Sequence, residues 1–193
     1  MIKIGIAGCG GIGSNVAMNL VRAGIKNFIL VDFDKIEESN LNRQFYFKNQ
    51  IGLYKAPILM KNLKSINENL NIDFFVEKID KNNILDFFSD CDIIIEAFDK
   101  KEFKTLLIEN YSTKYIISAN GIGGRDLKNI KNLTFNKLTV IGDFYSDIKI
   151  YQTYSTKVMF IACLMANKVL DIIGGFSDEK IWFTHWSLCN NRF

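Results

Sequence analysis

Gly8-Cys9-Gly10-Gly11-Ile12-Gly13-Ser14 ends an apolar run from Ile2 to Ala7 and leads straight into a helical pattern. A strand that ends in glycines and restarts as a helix makes a turn able to hold a phosphate. Gly8 permits the tight turn, Gly10 lets the backbone approach a ligand, and Gly13 lets the helix pack closely on the strand, with Gly11 in the same cradle. Uncompensated N–H groups and the helix dipole then face an anion. The motif alone fits NAD, FAD, SAM and ATP binders, and a glycine-rich turn can also be purely structural. Its context, strand before and helix after, favours a nucleotide site.

Beyond the turn, Val16, Ala17, Leu20 and Val21 recur on one helical face, and Gly24 is placed to end that helix. Asn27 to Asp32 reads as a second strand, apolar without alternation, as in a central parallel strand covered on both faces. Asp32 lies about 20 residues past the glycines, where a carboxylate can accept hydrogen bonds from ribose hydroxyls. From Asp34 to Gly52 the chain is polar and aromatic with no clean period, which predicts a long functional loop. Lys55 opens a helix expected to run to about Asn69, with Pro57 in its first turn.

Ile72 to Val76 is an expected strand and Ile84 to Phe88 a short helix. Asp92 to Asp99 is another buried strand, ending in a carboxylate that should share the sheet edge with the glycine turn. Lys101 to Asn110 reads as helix, Tyr115 to Ala119 as strand, Asn120 to Gly124 as a flexible turn, and Leu138 to Ile141 as strand. Gly142 to Thr156 is a polar, aromatic crossing segment. A strong helix starts near Ser155, with Val158, Ile161, Ala162, Met165, Val169 and Ile172 inward, and Gly174-Gly175 is expected to stop it. The tail with Trp182, His185, Trp186 and Cys189 reads as a terminal strand or packing arm. The expected fold is α/β, a Rossmann-like, mostly parallel sheet with helices on both faces, built as one domain over residues 1–193.

Composition narrows the function. Apolar residues make up 48% and charged residues 23% of 193, so a packed core is expected rather than disorder. The net charge of +3 is mild and the basic residues are interspersed with acids, which argues against nucleic acid and membrane partners. The longest apolar run, Val158 to Ala166, is about half a bilayer crossing. Met1 to Ile4 already reads as strand, with no room for a signal peptide, so a cytoplasmic setting is expected. The scattered cysteines Cys9, Cys91, Cys163 and Cys189 lack CxxC spacing, so no zinc is expected.

Two enzyme classes fit the glycine turn. A nicotinamide dehydrogenase would use Asp32 equally well, but the chain offers little room for a substrate domain, and its one histidine, His185, lies far out in the tail. The second class rests on the ordered set GCGGIGSN (Gly8 to Asn15), VDFDKIEESNLNRQF (Val31 to Phe45), Lys55 and IIIEAFDKKEFK (Ile93 to Lys104). This set resembles the family of ThiF, MoeB, HesA and the ubiquitin-activating enzymes, over roughly the first 125 residues and more loosely to the long helix. The SNLNRQ string carries more of the resemblance than the glycines. The compact length and the FDK form of the aspartate motif look most like short bacterial ThiF, the adenylyltransferase for the sulfur carrier ThiS.

The resemblance implies ATP and Mg²⁺ as cofactors, a ThiS-like ubiquitin-fold carrier ending in Gly-Gly as partner, and a homodimer. It implies that Arg43 and Lys55 contact phosphates, Asn40 and Gln44 contact the nucleotide, Asp32 holds the ribose and Asp99 holds Mg²⁺. Arg43, Lys55 and Asp99 are the implied catalytic set. A carrier carboxylate attacking an α-phosphate brings several negative charges together, so such a site needs cations and donors more than a base. Other readings stay open: a different carrier, as in molybdopterin synthesis, or a silent nucleotide-binding scaffold.

Some features depart from the family pattern. Many relatives supply an arginine from a segment before the first strand, on which this chain begins. Lys104 stands where several have arginine, and Thr156-Lys157 where related short chains show Pro-Arg. Some relatives use a cysteine to form a covalent carrier intermediate. Here Cys163 is expected in the buried core, Cys189 is the more accessible, and the turn's N–H groups are placed to lower the pKa of Cys9. None is named as catalytic.

Overall fold

The computed structural model describes residues 2–176. Its strands are β1 (Lys3–Ala7), β2 (Asn27–Val31), β3 (Asn71–Phe75), β4 (Ile93–Glu96), β5 (Tyr115–Ala119), β6 (Lys131–Phe135) and β7 (Leu138–Gly142). The helices are α1 (Gly11–Arg22), α2 (Lys55–Lys64), α3 (Ile84–Phe88), α4 (Lys101–Asn110) and α5 (Ser155–Phe176). The strands form one sheet in the order β3-β2-β1-β4-β5-β7-β6, parallel except for the antiparallel pair β6 and β7.

Strand periodicity explains the two-sided core. Ile4, Ile6, Phe28, Leu30, Ile93, Ile95 and Ile117 face the layer of α1, α2 and α5. Their neighbours Ala7, Ile29, Val31, Ile94 and Ile116 face the other layer, where they meet Phe87 and Phe88 of α3 and Leu107 of α4. Successive side chains alternate between faces, so a strand covered on both sides must be apolar throughout. On the first layer α1 packs along α5. Leu20, Val158, Ile161 and Val169 there are fully buried, each contributing about 1.5–3 kcal/mol. This is the expected Rossmann-like α/β fold.

The sheet order reverses between β1 and β4, whose connections leave to opposite sides and open a crevice at their carboxyl ends. Backbone hydrogen bonds bind the rim of that crevice: Gly8 N donates to Val31 O and Ala97 N to Ala7 O, both at 2.9 Å. No described helix is long and apolar enough to cross a membrane.

Several local expectations need correction. α2 ends at Lys64, not near Asn69. α5 does not stop at Gly174-Gly175 but runs to Phe176. Glycine lowers helix propensity by about 1 kcal/mol without forbidding the helix, and Ile173 still packs inward just before the pair. Strand β6 was not expected. It forms a two-residue hairpin with β7 through Asn136-Lys137, and Asn136 takes a left-handed φ of 56°, which asparagine tolerates. Trp182, His185, Trp186 and Cys189 lie outside the described residues.

Candidate active site

Three of the four glycines of the turn face three different constraints. Gly8 has φ of 96°, and a Cβ there would lie 2.9 Å from the Ala97 carbonyl oxygen. A Cβ on Gly13 would lie 1.8 Å from the Gly8 carbonyl oxygen, so strand and helix meet backbone to backbone. Around Gly10 only the Gln44 amide nitrogen comes within 4 Å, at 3.8 Å, leaving that side open. α1 starts one residue later with no side-chain cap on its N–H groups. Bare donors at a helix start, with room in front of them, suit an anion.

The loop that carries Asn40 to Gln44 is clamped onto this helix start. Ser14 Oγ donates to Gly10 O at 2.6 Å and accepts from Phe45 N at 3.1 Å. Asn15 Nδ2 donates to Gly11 O at 2.7 Å and to Arg43 O at 2.8 Å. The Tyr46 hydroxyl, buried beneath, donates to Cys9 O at 2.8 Å. Asn40 is buried, and its Oδ1 accepts from Glu37 N at 3.2 Å, which closes the single turn Glu38–Asn40. Arg43 Nη1 donates to Ser39 O at 2.9 Å and Asn42 Oδ1 at 2.8 Å, and partial burial lowers the guanidinium's pKa. Oε1 of Gln44 is buried with no hydrogen-bond partner beside the open side of Gly10. An orphaned buried acceptor is unfavourable, so a donor on a bound molecule would relieve it.

Lys55, the first residue of α2, is buried, and its Nζ meets Asp34 Oδ2 at 2.9 Å. Asp32 is buried as well. Its Oδ2 accepts from Cys9 N at 2.6 Å and its Oδ1 from Asp34 N at 2.7 Å. Burial pushes the Asp32 carboxyl pKa up, and Lys55 with those two N–H groups opposes the rise without cancelling it.

Asp99 is exposed just beyond β4. Three residues before it, Glu96 is fully buried, and its Oε1 accepts from Phe98 N at 2.8 Å. Its Oε2 accepts from Lys104 Nζ at 2.7 Å and Ser118 Oγ at 2.5 Å. Lys104 thus turns back to the sheet end that carries Asp99.

The crossing segment is a strap from Asp143 to Tyr154, held by Lys157 in the first turn of α5. Lys157 is 1% exposed, and its Nζ donates to Gly123 O and Asp143 Oδ2, both at 2.6 Å, and to Ser146 Oγ at 3.1 Å. Asn120 to Gly124 is therefore not a free turn: Gly124 N also donates to Gln152 O at 2.8 Å.

One cleft of about 910 Å³ gathers Gly8, Gly10, Gly11, Asp32, Asn40, Arg43, Gln44, Lys55 and Asp99, with Lys104 and strap residues Phe144 to Ile148. Gly13 alone of the expected set does not line it and supports the turn from behind. Sequence reading passed over Tyr46, Glu96, Asp143 and the packing of Lys157. A charged residue inside the apolar run from Ile93 to Phe98 was the available signal for Glu96, whereas Lys157 stands just before the apolar run that starts at Val158 and had none. The expectations for two cysteines fail. Cys163 is exposed, because it falls roughly 100° around the helix from Ala162 and off the buried stripe. Cys9 is buried, and burial together with Asp32 raises its pKa rather than lowering it.

A parallel sheet that reverses order at a glycine turn, with a bare helix start aimed into a polar cleft, defines a Rossmann-like α/β protein. The chain belongs to the ThiF family, whose profile matches residues 1–190. It is 39% identical over 99 residues to SUMO-activating enzyme subunit 2 of Dictyostelium discoideum, covering 50% of this chain and 15% of that protein. It is 37% identical over 112 residues to a probable molybdopterin-synthase adenylyltransferase of Porphyra purpurea, covering 58% and 27%. The chain therefore spans about a quarter or less of the length of these relatives. The crystal structure of E. coli tRNA N6-threonylcarbamoyladenosine dehydratase in complex with AMP superposes with a TM-score of 0.82 at 18% identity, covering 90% of this chain and 86% of that one.

Proposed function

We propose that this protein adenylates the C-terminal glycine carboxylate of a small ubiquitin-like sulfur carrier, releasing pyrophosphate from ATP, and that the carrier is ThiS-like and serves thiazole formation for thiamine. The observation that carries this reading is the single cleft joining the glycine turn to Asn40, Arg43, Gln44, Lys55 and Asp99. In the proposed reaction a carrier carboxylate oxygen attacks the α-phosphorus, the bond to the bridging oxygen breaks, and pyrophosphate leaves with that electron pair. Arg43 and Lys55 stabilise the charge that builds on the phosphoryl oxygens, a role worth roughly 10²–10³ in rate per well-placed donor. The N–H groups at the start of α1 hold a phosphate, and Asp32 faces the ribose.

Asp99 suits a magnesium ion shared with the phosphates: it is exposed in the cleft, and Mg²⁺ on a nucleotide needs only one or two protein carboxylates. Bound there, the ion would offset phosphate charge. A homodimer belongs to the proposal on the family resemblance.

Carrier-dependent exchange of labelled pyrophosphate into ATP tests the reading. Exchange that requires both a Gly-Gly carrier and Mg²⁺ is expected, and a ThiS-type carrier should be preferred over a molybdopterin-type one. The reading is overturned if no such carrier supports exchange while Asp99→Ala leaves nucleotide binding in the presence of Mg²⁺ unchanged, which would mark a scaffold. Tight NADH binding without exchange would mark an oxidoreductase.

A further inference from the structure

Lys157 stands where local physics disfavours a lysine. It lies in the first turn of α5, where the helix dipole repels a cation, and it is 1% exposed, where an unpaired ammonium is costly. Its neighbours along the buried stripe, Val158, Ile161 and Ala162, show that an apolar residue would suit the packing. Three oxygens compensate. Asp143 Oδ2 and Ser146 Oγ come from the strap, and Gly123 O comes from the segment after β5. Local rules are broken at such cost mainly at functional or strained sites.

The strap depends on that ammonium. Asp143 Oδ1 accepts the N–H groups of Tyr145 at 2.9 Å and Ser146 at 2.8 Å, so the carboxylate that Lys157 holds in turn shapes the first strap residues. Phe144 between them has φ of 63°, a left-handed conformation that a bulky residue adopts only when its surroundings impose it. The strap is also a shared wall. Tyr145 and Ser146 line both the nucleotide cleft and a second cleft of about 740 Å³, which Tyr151, Tyr154 and Lys157 line as well. The hydrogen bonds of Lys157 go to Gly123, Asp143 and Ser146, none of them assigned above to the nucleotide.

We propose that Lys157 is a positioning residue: its ammonium ties Asp143, Ser146 and Gly123 together, fixes the strap as the wall between the two clefts, and thereby sets how the carboxylate substrate reaches the nucleotide. The substrate part of this rests on the adenylation reading. The positional part does not.

Hydrogen exchange and nucleotide binding separate the two parts. In Lys157→Met the amides of Tyr145 and Ser146 are expected to exchange at least tenfold faster, while those of β1 and α1 stay unchanged and ATP affinity stays within threefold. With a carrier that wild type adenylates, the carrier KM should rise at least tenfold at a kcat within threefold. Lys157→Arg should recover part of both effects. Should the single variant fail to fold, Lys157→Met/Asp143→Leu leaves no unpaired charge, and the same strap-confined acceleration is expected. Acceleration spread evenly over the sheet and α5, or strap exchange unchanged in a folded variant, overturns the proposal. A fall in kcat and ATP affinity with KM unchanged also overturns it. If wild type adenylates no carrier, the adenylation reading fails alone, and strap exchange still decides the role of Lys157.

Discussion

The methyl group that Gly13 lacks would lie 1.8 Å from the carbonyl oxygen of Gly8, far inside van der Waals contact. Both atoms belong to backbone that the sheet and α1 hold in place, so neither can move aside cheaply. Gly13→Ala is expected to destabilise the fold by about 3 kcal/mol or more, a size reserved for a few mechanisms such as imposed strain. At Gly10 the same substitution meets nothing closer than the Gln44 amide at 3.8 Å. Gly10→Ala should change stability by less than about 1 kcal/mol yet weaken ATP binding at least tenfold. Urea unfolding beside nucleotide titration checks the contrast, and equal stability losses at both glycines would contradict it.

Lys55 and Asp34 form a one-sided pair. The lysine side chain is 8% exposed and the aspartate 50%, so water already serves the carboxylate. The pair is therefore worth no more than about 1 kcal/mol to stability. Lys55→Met should leave unfolding nearly unchanged but lower pyrophosphate exchange by roughly 10²-fold. Asp34→Asn, which frees the ammonium, should lower it far less. Comparable losses in the two variants would show that the pair, not the cation, is what matters.

Much of the fold was legible because a parallel sheet covered on both faces writes itself as apolar runs such as Phe28 to Val31 and Ile93 to Ile95. Edge strand β6 was illegible for the converse reason. All five of its residues are exposed, so Lys131 to Phe135 carries no burial pattern, and only the turn-forming Asn136 marked it. Of the cleft residues, the glycines, Asp32 and Asp99 were legible through their place at strand ends, while Asn40, Arg43, Gln44 and Lys55 were legible only through the family resemblance of the strings that hold them. Glu96, Asp143 and Lys157 were not, since their roles depend on partners 8 to 34 residues away that no local period announces.

Asp99 is exposed, so its removal should cost the fold nothing measurable. Asp99→Asn keeps the shape and removes the charge that would attract a divalent ion. ATP binding without metal is expected to stay within threefold, while the stimulation of exchange by Mg²⁺ should fall by at least tenfold. A variant whose exchange still rises with Mg²⁺ as in wild type would place the ion elsewhere.

The ion pair of Glu96 with Lys104 is asymmetric in a way that double variants can expose. Glu96 is fully buried, whereas the Lys104 side chain is 25% exposed and can turn to water. Lys104→Met strands a buried carboxylate and should destabilise by about 3 kcal/mol. Glu96→Gln keeps an acceptor for Phe98 N–H and releases Lys104 to solvent, so about 1–2 kcal/mol is expected. In the double variant the losses should be clearly less than additive. Additive losses would mean that the two groups do not depend on each other.

Asp143 gives the strap a pH signature. Burial alone would raise its pKa, but Lys157 and the N–H groups of Ser146 and Tyr145 outweigh burial and hold it at about 2, against an ordinary 3.8. A folded-state pKa below the unfolded one stabilises at any pH above the unfolded value, and that contribution is lost as pH falls through the folded value. The window is therefore from about pH 4 down to about pH 2, and the amount at stake is about 2 kcal/mol. Asp143→Asn cannot titrate, yet it leaves Lys157 equally unpaired at every pH in that range. The stability gap between wild type and Asp143→Asn should thus be constant above pH 5 and shrink by about 2 kcal/mol by pH 2. Urea unfolding of both proteins across that range measures the gap. A gap that stays constant to pH 2 would show that the Asp143 carboxylate is not held by Lys157.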